Sequence, residues 1–359
     1  MKLTSTVKLQ PDETQRGYLR KTLERANAAC NYVSEKAFEQ RVFAQFNLHK
    51  LVYDVLRSDF ELSAQMAVRC IGKVADSYKK DKQAQRTFKP LGAVPYDSRI
   101  LNFRLKDNTV SIWVLGGREV MPFVCGAHQR WLLQFQRGES DLVYRSGDFY
   151  LYTTCDVPDD APIDPEGWLG VDLGIKNIAT DSDRQMFAAN HLLSVRHRFN
   201  RLRKKLQSKG TKAAKRLLKK MSGREARFRN DINHQISKRI VRKAKDTRRG
   251  VALEELKHIR ERVTVRQPQR RTLHSWSFHD LRQKIAYKAQ LAGVPVLCVD
   301  PRNTSRECSV CGCVDKRNRP DQSTFSCISC GHADHADMNA ALNISRRAAV
   351  RPPNVAPSG

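Results

Sequence analysis

Residues Thr304–Ile344 read TSRECSVCGCVDKRNRPDQSTFSCISCGHADHADMNAALNI. Two paired cysteines, Cys308-x₂-Cys311 and Cys327-x₂-Cys330, stand here with fifteen residues between them. That spacing lies in the range of a four-thiolate zinc ribbon. Each C-x₂-C turn aims two sulfurs at one point and the intervening hairpin returns the chain, so one tetrahedral Zn²⁺ would satisfy all four. Four thiolates leave no open position for substrate, and the site is expected to be structural. Directly after the second pair, Asp337-Met-Asn-Ala-Ala opens a short Ala-rich helix with an acid in its first turn.

Two segments far upstream answer that acid. One is Gly170-Val-Asp-Leu-Gly-Ile-Lys-Asn-Ile-Ala-Thr180, the other Val251-Ala-Leu-Glu-Glu-Leu256. Each sets a carboxylate, Asp172 or Glu254, in or at the end of an apolar, strand-like run, where an unpaired charge is costly to bury. A divalent metal shared with Asp337 would compensate both.

The 359 residues allow two or three domains, and 40% hydrophobic content is enough for ordinary cores. The charge is far from ordinary. Lys+Arg 65 against Asp+Glu 37 gives +28, with a pI near 10.0. A polyanion partner is implied, and nucleic acid fits better than an anionic membrane. No apolar run approaches membrane-spanning length and no signal-peptide pattern is read. Ten cysteines without such a signal point to a reducing cytoplasm, four on metal and Cys30, Cys70, Cys125, Cys155, Cys298 and Cys313 free.

The rest of the chain divides by period. Residues 2–9 alternate as a half-buried strand, and Pro11-Asp12 opens a helix carrying the stripe Leu19, Leu23, Ala26, Cys30, Val33, Ala37. Two further helical patterns follow, one with Asn47 as a candidate cap. From about residue 95 the period becomes two. Ile100–Leu105 and Val110–Leu115 flank Asp107-Asn108, and Arg118–Val124, Trp131–Phe135, Leu142–Tyr144 and Phe149–Val157 complete an antiparallel unit, the last two joined across Gly147-Asp148. Trp113, Trp131, Tyr144, Tyr150 and Tyr152 are candidates for stacking on bases, with core packing the commoner role. The Pro/Asp-rich stretch 158–165 marks a domain boundary. Beyond it come strands at Trp168–Asp172, Lys176–Thr180 and Arg184–Phe187. Residues 196–249 then carry 22 basic residues against three acids in a long helical region, with Gly210 and Gly223 as expected breaks. A bound phosphate backbone would relieve so dense a charge. Val251–Leu256 is a fourth strand, Arg260–Arg271 a basic loop, Ser275–Ala292 a helix stopped by Gly293, and Val294–Val299 a fifth strand. The tail from Arg346, with three prolines, reads as disordered.

A three-strand meander, a helical stretch, a fourth strand, a helix, a fifth strand and a last helix is the element order of an RNase H-like fold. Asp172, Glu254 and Asp337 stand where that fold carries three acids. Such a set can hold two Mg²⁺ ions for in-line phosphodiester cleavage. Taken with their order, GVDLGIKNIAT, VALEELK, WSFHDLRQKIAYKAQLAGVPV, DPRNTSRECSVCG and FSCISCGHADHADMNAALNI resemble the TnpB proteins of insertion sequences, compact relatives of type V CRISPR effectors. The resemblance is close over most of 168–347 and extends only to layout before that. It implies a multidomain α+β chain. A wedge-like antiparallel β-barrel would span 1–10 and 86–160, with a helical recognition insert at 11–85. A RuvC-like (RNase H-like) nuclease domain would span 161–303 and 334–347, with the zinc ribbon at 304–333 and a disordered tail at 348–359. It further implies an RNA-guided DNA endonuclease, transposon-associated, cutting beside a short target-adjacent motif. Its partners would be a guide RNA encoded by the element and double-stranded target DNA, without a membrane; its place would be the bacterial cytoplasm, on the nucleoid when bound to target, with the oligomeric state left open and a monomer favoured. Catalytic Asp172, Glu254 and Asp337 would hold two Mg²⁺, and Cys308, Cys311, Cys327 and Cys330 one structural Zn²⁺.

Local alternatives remain. Glu255 neighbours Glu254, and strand alternation lets only one face the site. Asp334 precedes Asp337 by three residues but is expected in the turn leaving the ribbon. Cys313 competes with Cys311, His332 and His335 read as loop residues, and Asn339 reads as either a site or a helix residue. Sugar kinases and actin-like ATPases share the Asp-Leu-Gly strand but need Gly-rich phosphate loops that this chain lacks. Transposases with an Asp, Asp, Glu order lack the ribbon between the second and third acids. A nuclease-inactive RNA-guided repressor and a guide-independent nucleic-acid coat are the alternative functions.

Overall fold

The computed structural model describes residues 1–174, 176–255 and 278–350. The chain falls into two compact units that part at Pro158/Asp159, within the Pro/Asp-rich stretch.

In the first unit, β1 (Lys2–Leu9) leads into α1 (Glu13–Glu39), whose start is fixed by a capping box between Asp12 and Gln15. Helices α2 (Gln45–Ser58) and α3 (Ala64–Tyr78) follow. Ala44, not Asn47, is the N-cap of α2; Asn47 falls inside the first turn, where its side chain cannot take the cap position. Six strands then complete a sheet: β2 (Val94–Tyr96), β3 (Leu101–Arg104), β4 (Thr109–Val114), β5 (Gly117–Val124), β6 (Gln136–Arg145) and β7 (Asp148–Asp156). Their order is β2-β6-β7-β1-β5-β4-β3, antiparallel throughout. The two edge strands are neighbours in sequence, so the sheet curls back on itself, and Tyr96 Oη donates to the Trp113 carbonyl on β4 at 3.1 Å. The helices share one core with this sheet, Leu19, Leu23 and Ile71 packing with Val110, Ile112 and Leu151.

Two further readings of this unit are corrected. Trp131–Phe135 is not a strand: α4 (Ala127–Leu133) occupies it, burying the consecutive Leu132 and Leu133 and leaving Trp131 exposed. Five residues with two adjacent buried leucines carry no alternation that excludes a helical turn. The hairpin between β6 and β7 turns one residue earlier than expected, on Ser146 and Gly147. Both have positive φ, as a two-residue type I′ turn requires. Tyr150 and Tyr152 alternate with buried Phe149 and Leu151 along β7, and Trp113 and Tyr144 pack against the core.

The second unit is built on a five-stranded sheet: β8 (Trp168–Asp172), β9 (Asn177–Asp181), β10 (Met186–Ala188), β11 (Gly250–Glu254) and β12 (Val296–Val299). Its order is β10-β9-β8-β11-β12, with β8, β11 and β12 parallel. Period-two alternation gives the sheet two apolar faces. Leu169, Val171, Val251 and Leu253 meet Ile236, Ile240, Leu281 and Ile285 from α6 (Lys212–Asp246) and α7 (Phe278–Leu291). On the other face Trp168, Ala252, Leu297 and Val299 meet Ile344 and Ala348 of α8 (Ala336–Val350).

Helix α5 (Asn190–Lys209) ends at Gly210 (φ +64°) and leads into α6, whose Thr211 cap accepts from the Ala214 N–H. Gly223 does not break α6. One interior glycine costs about 1 kcal/mol, which a 35-residue helix packed on two neighbours absorbs. The tail reading is also corrected, since α8 continues helical to Val350, with Ile344 and Ala348 buried against the sheet. The basic loop 260–271, the expected helix start at Ser275 and residues 351–359 lie outside the described residues. Among the described residues no helix is long and apolar enough to cross a membrane.

Candidate active site

Asp172 and Glu254 end β8 and β11, adjacent parallel strands paired Val171 to Leu253, so both carboxylates leave the sheet at the same edge. Alternation turns both toward the face covered by α8. Asp337 lies in the first turn of α8, which brings the third acid over that edge. Gly170 lets the helix come this close. A Cβ there would clash with the Ala341 carbonyl oxygen and reach 2.5 Å from the Ser345 nitrogen, while Ser345 Oγ donates to the Trp168 carbonyl at 2.6 Å.

Asp172 feels the other two acids. Burial, then Glu254, then Asp337 push the Asp172 carboxyl well above the usual carboxylate range, with Arg319 pulling it back. Glu254 is raised by burial, opposed by the Thr304 hydroxyl and by Arg347 and Arg319. Desolvated like charges held together are the surroundings that a bound cation relieves. Asn177 Nδ2 donates to Asp337 Oδ2 at 2.9 Å, and the Arg319 guanidinium lies 3.6 Å from Asp337 Oδ1. Thr304 Oγ1 hydrogen-bonds Glu254 Oε1.

The neighbouring acids are engaged elsewhere. Glu255 faces away from α8 and takes a two-point ion pair from Arg282 of α7, at 2.6 and 3.0 Å. Asp334 lies in the short strand β14 (Ala333–His335) rather than in a turn, and holds Arg184 at 2.9 and 3.3 Å. We expect Glu254→Gln to reduce any metal-dependent activity of this cluster by about 10²-fold or more. Glu255→Gln should leave the rate within about threefold while lowering the melting temperature, because Arg282 loses the opposite charge and one of its two carboxylate hydrogen bonds. Parallel rate and melting measurements check the pair.

The cysteines form a tighter group. Cys308 Sγ is 3.7 Å from Cys330 Sγ, and Cys311 Sγ is 3.5 Å from Cys327 Sγ. Tetrahedral thiolate ligation with metal–sulfur bonds of about 2.3 Å sets sulfurs roughly 3.8 Å apart, so the cluster could hold a metal ion. Among the described residues these four are the group whose donor atoms all lie within 4.8 Å of one another; the three carboxylates are not drawn together that tightly. The two knuckles are built alike. Gly312 and Gly331, at φ +76° and +72°, donate to the carbonyls of Cys308 and Cys327, while Cys308 and Cys327 donate to the carbonyls of Cys313 and His332. Cys313 therefore corresponds in position to His332 and stands outside the thiol quartet. Backbone N–H groups of Cys330 and Ser329 draw the Cys327 thiol down to about 6. Strand β13 (Thr324–Ser326) pairs with β14 to carry the second knuckle toward α8.

Asn339 is a tether. Its amide accepts from the Ser309 N–H at 2.9 Å and donates to the Glu307 carbonyl at 2.8 Å. Arg319, Thr304 and Asn177 are the site neighbours that sequence reasoning did not assign, although Thr304 and Asn177 lie within the stretches that carried the resemblance.

Known proteins place this geometry in context. Residues 152–258 match the family model OrfB_IS605, described as a probable transposase, and residues 278–344 match the Cas12f1-like TNB domain. A CRISPR-associated endodeoxyribonuclease Cas12f1 of Sulfoacidibacillus thermotolerans is 42% identical over 33% of this chain and 27% of its own length. The TnpB-like protein MJ0751 of Methanocaldococcus jannaschii is 35% identical over 41% of this chain and 52% of its own. The putative RNA-guided DNA endonuclease InsQ of Escherichia coli is 28% identical over 55% and 53%. The chain thus spans about a quarter to a half of the curated relatives it matches. Among solved structures, a Cas12f1–sgRNA–target DNA complex shares the fold, with a TM-score of 0.60 at 17% identity over 92% of this chain and 83% of that one. The resemblance to TnpB proteins and their Cas12f relatives is borne out by both family models and by these relatives.

Proposed function

We propose that the chain is an RNA-guided DNA endonuclease of the transposon-associated TnpB kind, cutting target DNA beside a short adjacent motif. One observation supports the reading: Asp172 and Glu254 end neighbouring parallel strands, Asp337 stands in the first turn of the facing helix, and Glu254 and Asp337 both raise the Asp172 carboxyl. The sheet order, with a three-strand meander beside two parallel strands, fits an RNase H-like, RuvC-like domain over 161–303 and 334–347. The curled sheet of 1–10 and 86–160 would serve as the wedge and residues 11–85 as its recognition insert. The names of the relatives supply the substrate class.

The donor chemistry fits the implied ions. Three carboxylates at the strand ends suit Mg²⁺, which keeps waters and phosphate oxygens among its ligands. Two Mg²⁺ bound there would supply an activated water and charge stabilisation at the leaving oxygen. The chain's own residues do the rest. Asp172 and Glu254 are fixed by the sheet, Asn177 orients the Asp337 carboxylate, and Arg319 offers a guanidinium at the rim, able to fork onto a phosphate. Cys308, Cys311, Cys327 and Cys330 would hold one Zn²⁺ as a closed structural set. Guide RNA and its DNA hybrid would lie against the basic α5–α6 region, with base pairing rather than side chains reading the target.

The test is Mg²⁺-dependent cleavage of a target plasmid by protein purified with its co-expressed RNA. Cleavage that needs both the RNA and the matching target supports the reading. Target bound but uncut in Mg²⁺ would favour the nuclease-inactive repressor, and sequence-specific binding that survives ribonuclease would favour a guide-independent coat. Cys327→Ser should drop zinc content from about one per chain toward zero under mild chelation. Cleavage should fall with it, because the hairpin delivering Asp337 loses its clamp. Elemental analysis beside the cleavage assay checks this.

A further inference from the structure

The segment between β12 and the first knuckle is held by three buried asparagines, and part-way along it Thr304 touches the acid cluster. Asn343, fully buried on α8, donates to the carbonyls of Thr304 and Glu307 at 2.9 and 2.6 Å. Asn339, one turn earlier, holds Glu307 and Ser309, the residue that follows Cys308. Asn318 donates to the carbonyls of Arg306 and Cys313 and accepts from the Ile328 N–H, which stitches the two knuckles to each other. Thr304 is itself 3% exposed, and its hydroxyl reaches Glu254 Oε1 and the Pro301 carbonyl.

We propose that Thr304, locked by Asn343, is a positioning residue that orients the Glu254 carboxylate, so that the cysteine knuckle and the acid cluster form one mechanical unit. Glu254 ends a strand, and its side chain torsions are not fixed by the sheet. A hydroxyl donated to one oxygen leaves the other free to face Asp172 and a shared cation. Outer groups of this kind set ligand orientation, and their loss weakens metal binding by roughly 10–100-fold. Because Asn339 and Asn343 share α8 with Asp337, the same helix that presents the third acid also anchors the residue that orients the second.

This inference rests on the reading of Asp172, Glu254 and Asp337 as a metal-binding cluster, and the experiment separates the two. Mn²⁺ binding is titrated by electron paramagnetic resonance on the full-length, RNA-bound protein with its cysteine site loaded with zinc. Thr304→Val should weaken Mn²⁺ binding by about tenfold or more, and Thr304→Ser should restore it to within about threefold, with zinc content and melting temperature unchanged. Wild-type Mn²⁺ affinity in Thr304→Val overturns the proposal. If Asp172→Ala loses Mn²⁺ while Thr304→Val keeps it, only the positioning role fails; if both bind like wild type, the acid-cluster reading fails with it. Should Thr304→Val lose zinc, Thr304→Ala, which lacks the hydroxyl without added bulk, is read by the same criteria.

Discussion

Asp172→Ala should abolish target cleavage, by at least on the order of 10³-fold, while RNA co-purification and target binding stay at the level of the unaltered protein. The argument starts from cost. Asp172 sits at a strand end among desolvating neighbours, and Glu254 and Asp337 push its carboxyl further toward the neutral form. Among the described residues no ion pair of Asp172 calls for a charge there. The apolar faces of β8 are satisfied by Leu169 and Val171 on one side and by α8 on the other. A carboxylate desolvated among like charges is a candidate for a cation site. Removing it should therefore leave the metal-free protein at least as heat-stable as the parent, and the loss should fall on chemistry alone. Melting curves without added divalent metal, run beside the cleavage assay, test both halves. Cutting at the parent rate would sink the assignment of the first acid.

How much of this was legible in the sequence differs from element to element, for physical reasons. Alternation along Gly170–Asp172 and Val251–Glu254 carried enough information to choose strand faces, because both faces of that sheet are apolar and the acids come only at the ends. Spacing alone grouped the four cysteines, since a C-x₂-C turn is a local geometry. The partners of the neighbouring acids were not readable. Glu255 meets Arg282, and Asp334 meets Arg184, through contacts between residues 27 and 150 positions apart. Local pattern says nothing about those pairs. Arg319 and Thr304 stayed hidden for the same reason, since an arginine in a basic chain and a threonine in a loop give no local signal. The misreading of Trp131–Phe135 arose because a short apolar run suits a strand and a buried helical turn equally well. The helical extension to Val350 is signalled by Ile344 and Ala348 at i, i+4 spacing, a signal that the proline-rich composition of the tail as a whole masks.

Gly170→Ala should be a severely damaging substitution that touches no acid, and it strikes the helix that carries Asp337. The glycine has an ordinary strand backbone, so its role is spatial. A methyl group there would run into backbone rather than side chain: the Ala341 carbonyl oxygen, the Ser345 nitrogen at 2.5 Å and the Ser345 Cα at 3.0 Å. Flexible side chains can step aside from such a contact, but the middle of a helix cannot. Helix α8 must lift from β8, breaking the Ser345 to Trp168 bond and uncovering Trp168, Ala252 and Val299. Overpacking against fixed atoms costs about 3 kcal/mol or more, and in a unit of this size that lowers the melting temperature by roughly 6–12 °C. The same movement withdraws Asp337 from Asp172 and Glu254, and a displacement near 1 Å can lower a rate about 10²-fold. Gly17→Ala is the control. A Cβ there meets nothing within 4 Å, and in the interior of α1 it should raise stability by about 0.5–1 kcal/mol without altering cleavage. If Gly170→Ala melted and cut like the parent protein, α8 could not be seated on β8 as described, and the route by which Asp337 reaches the other two acids would have to be drawn again.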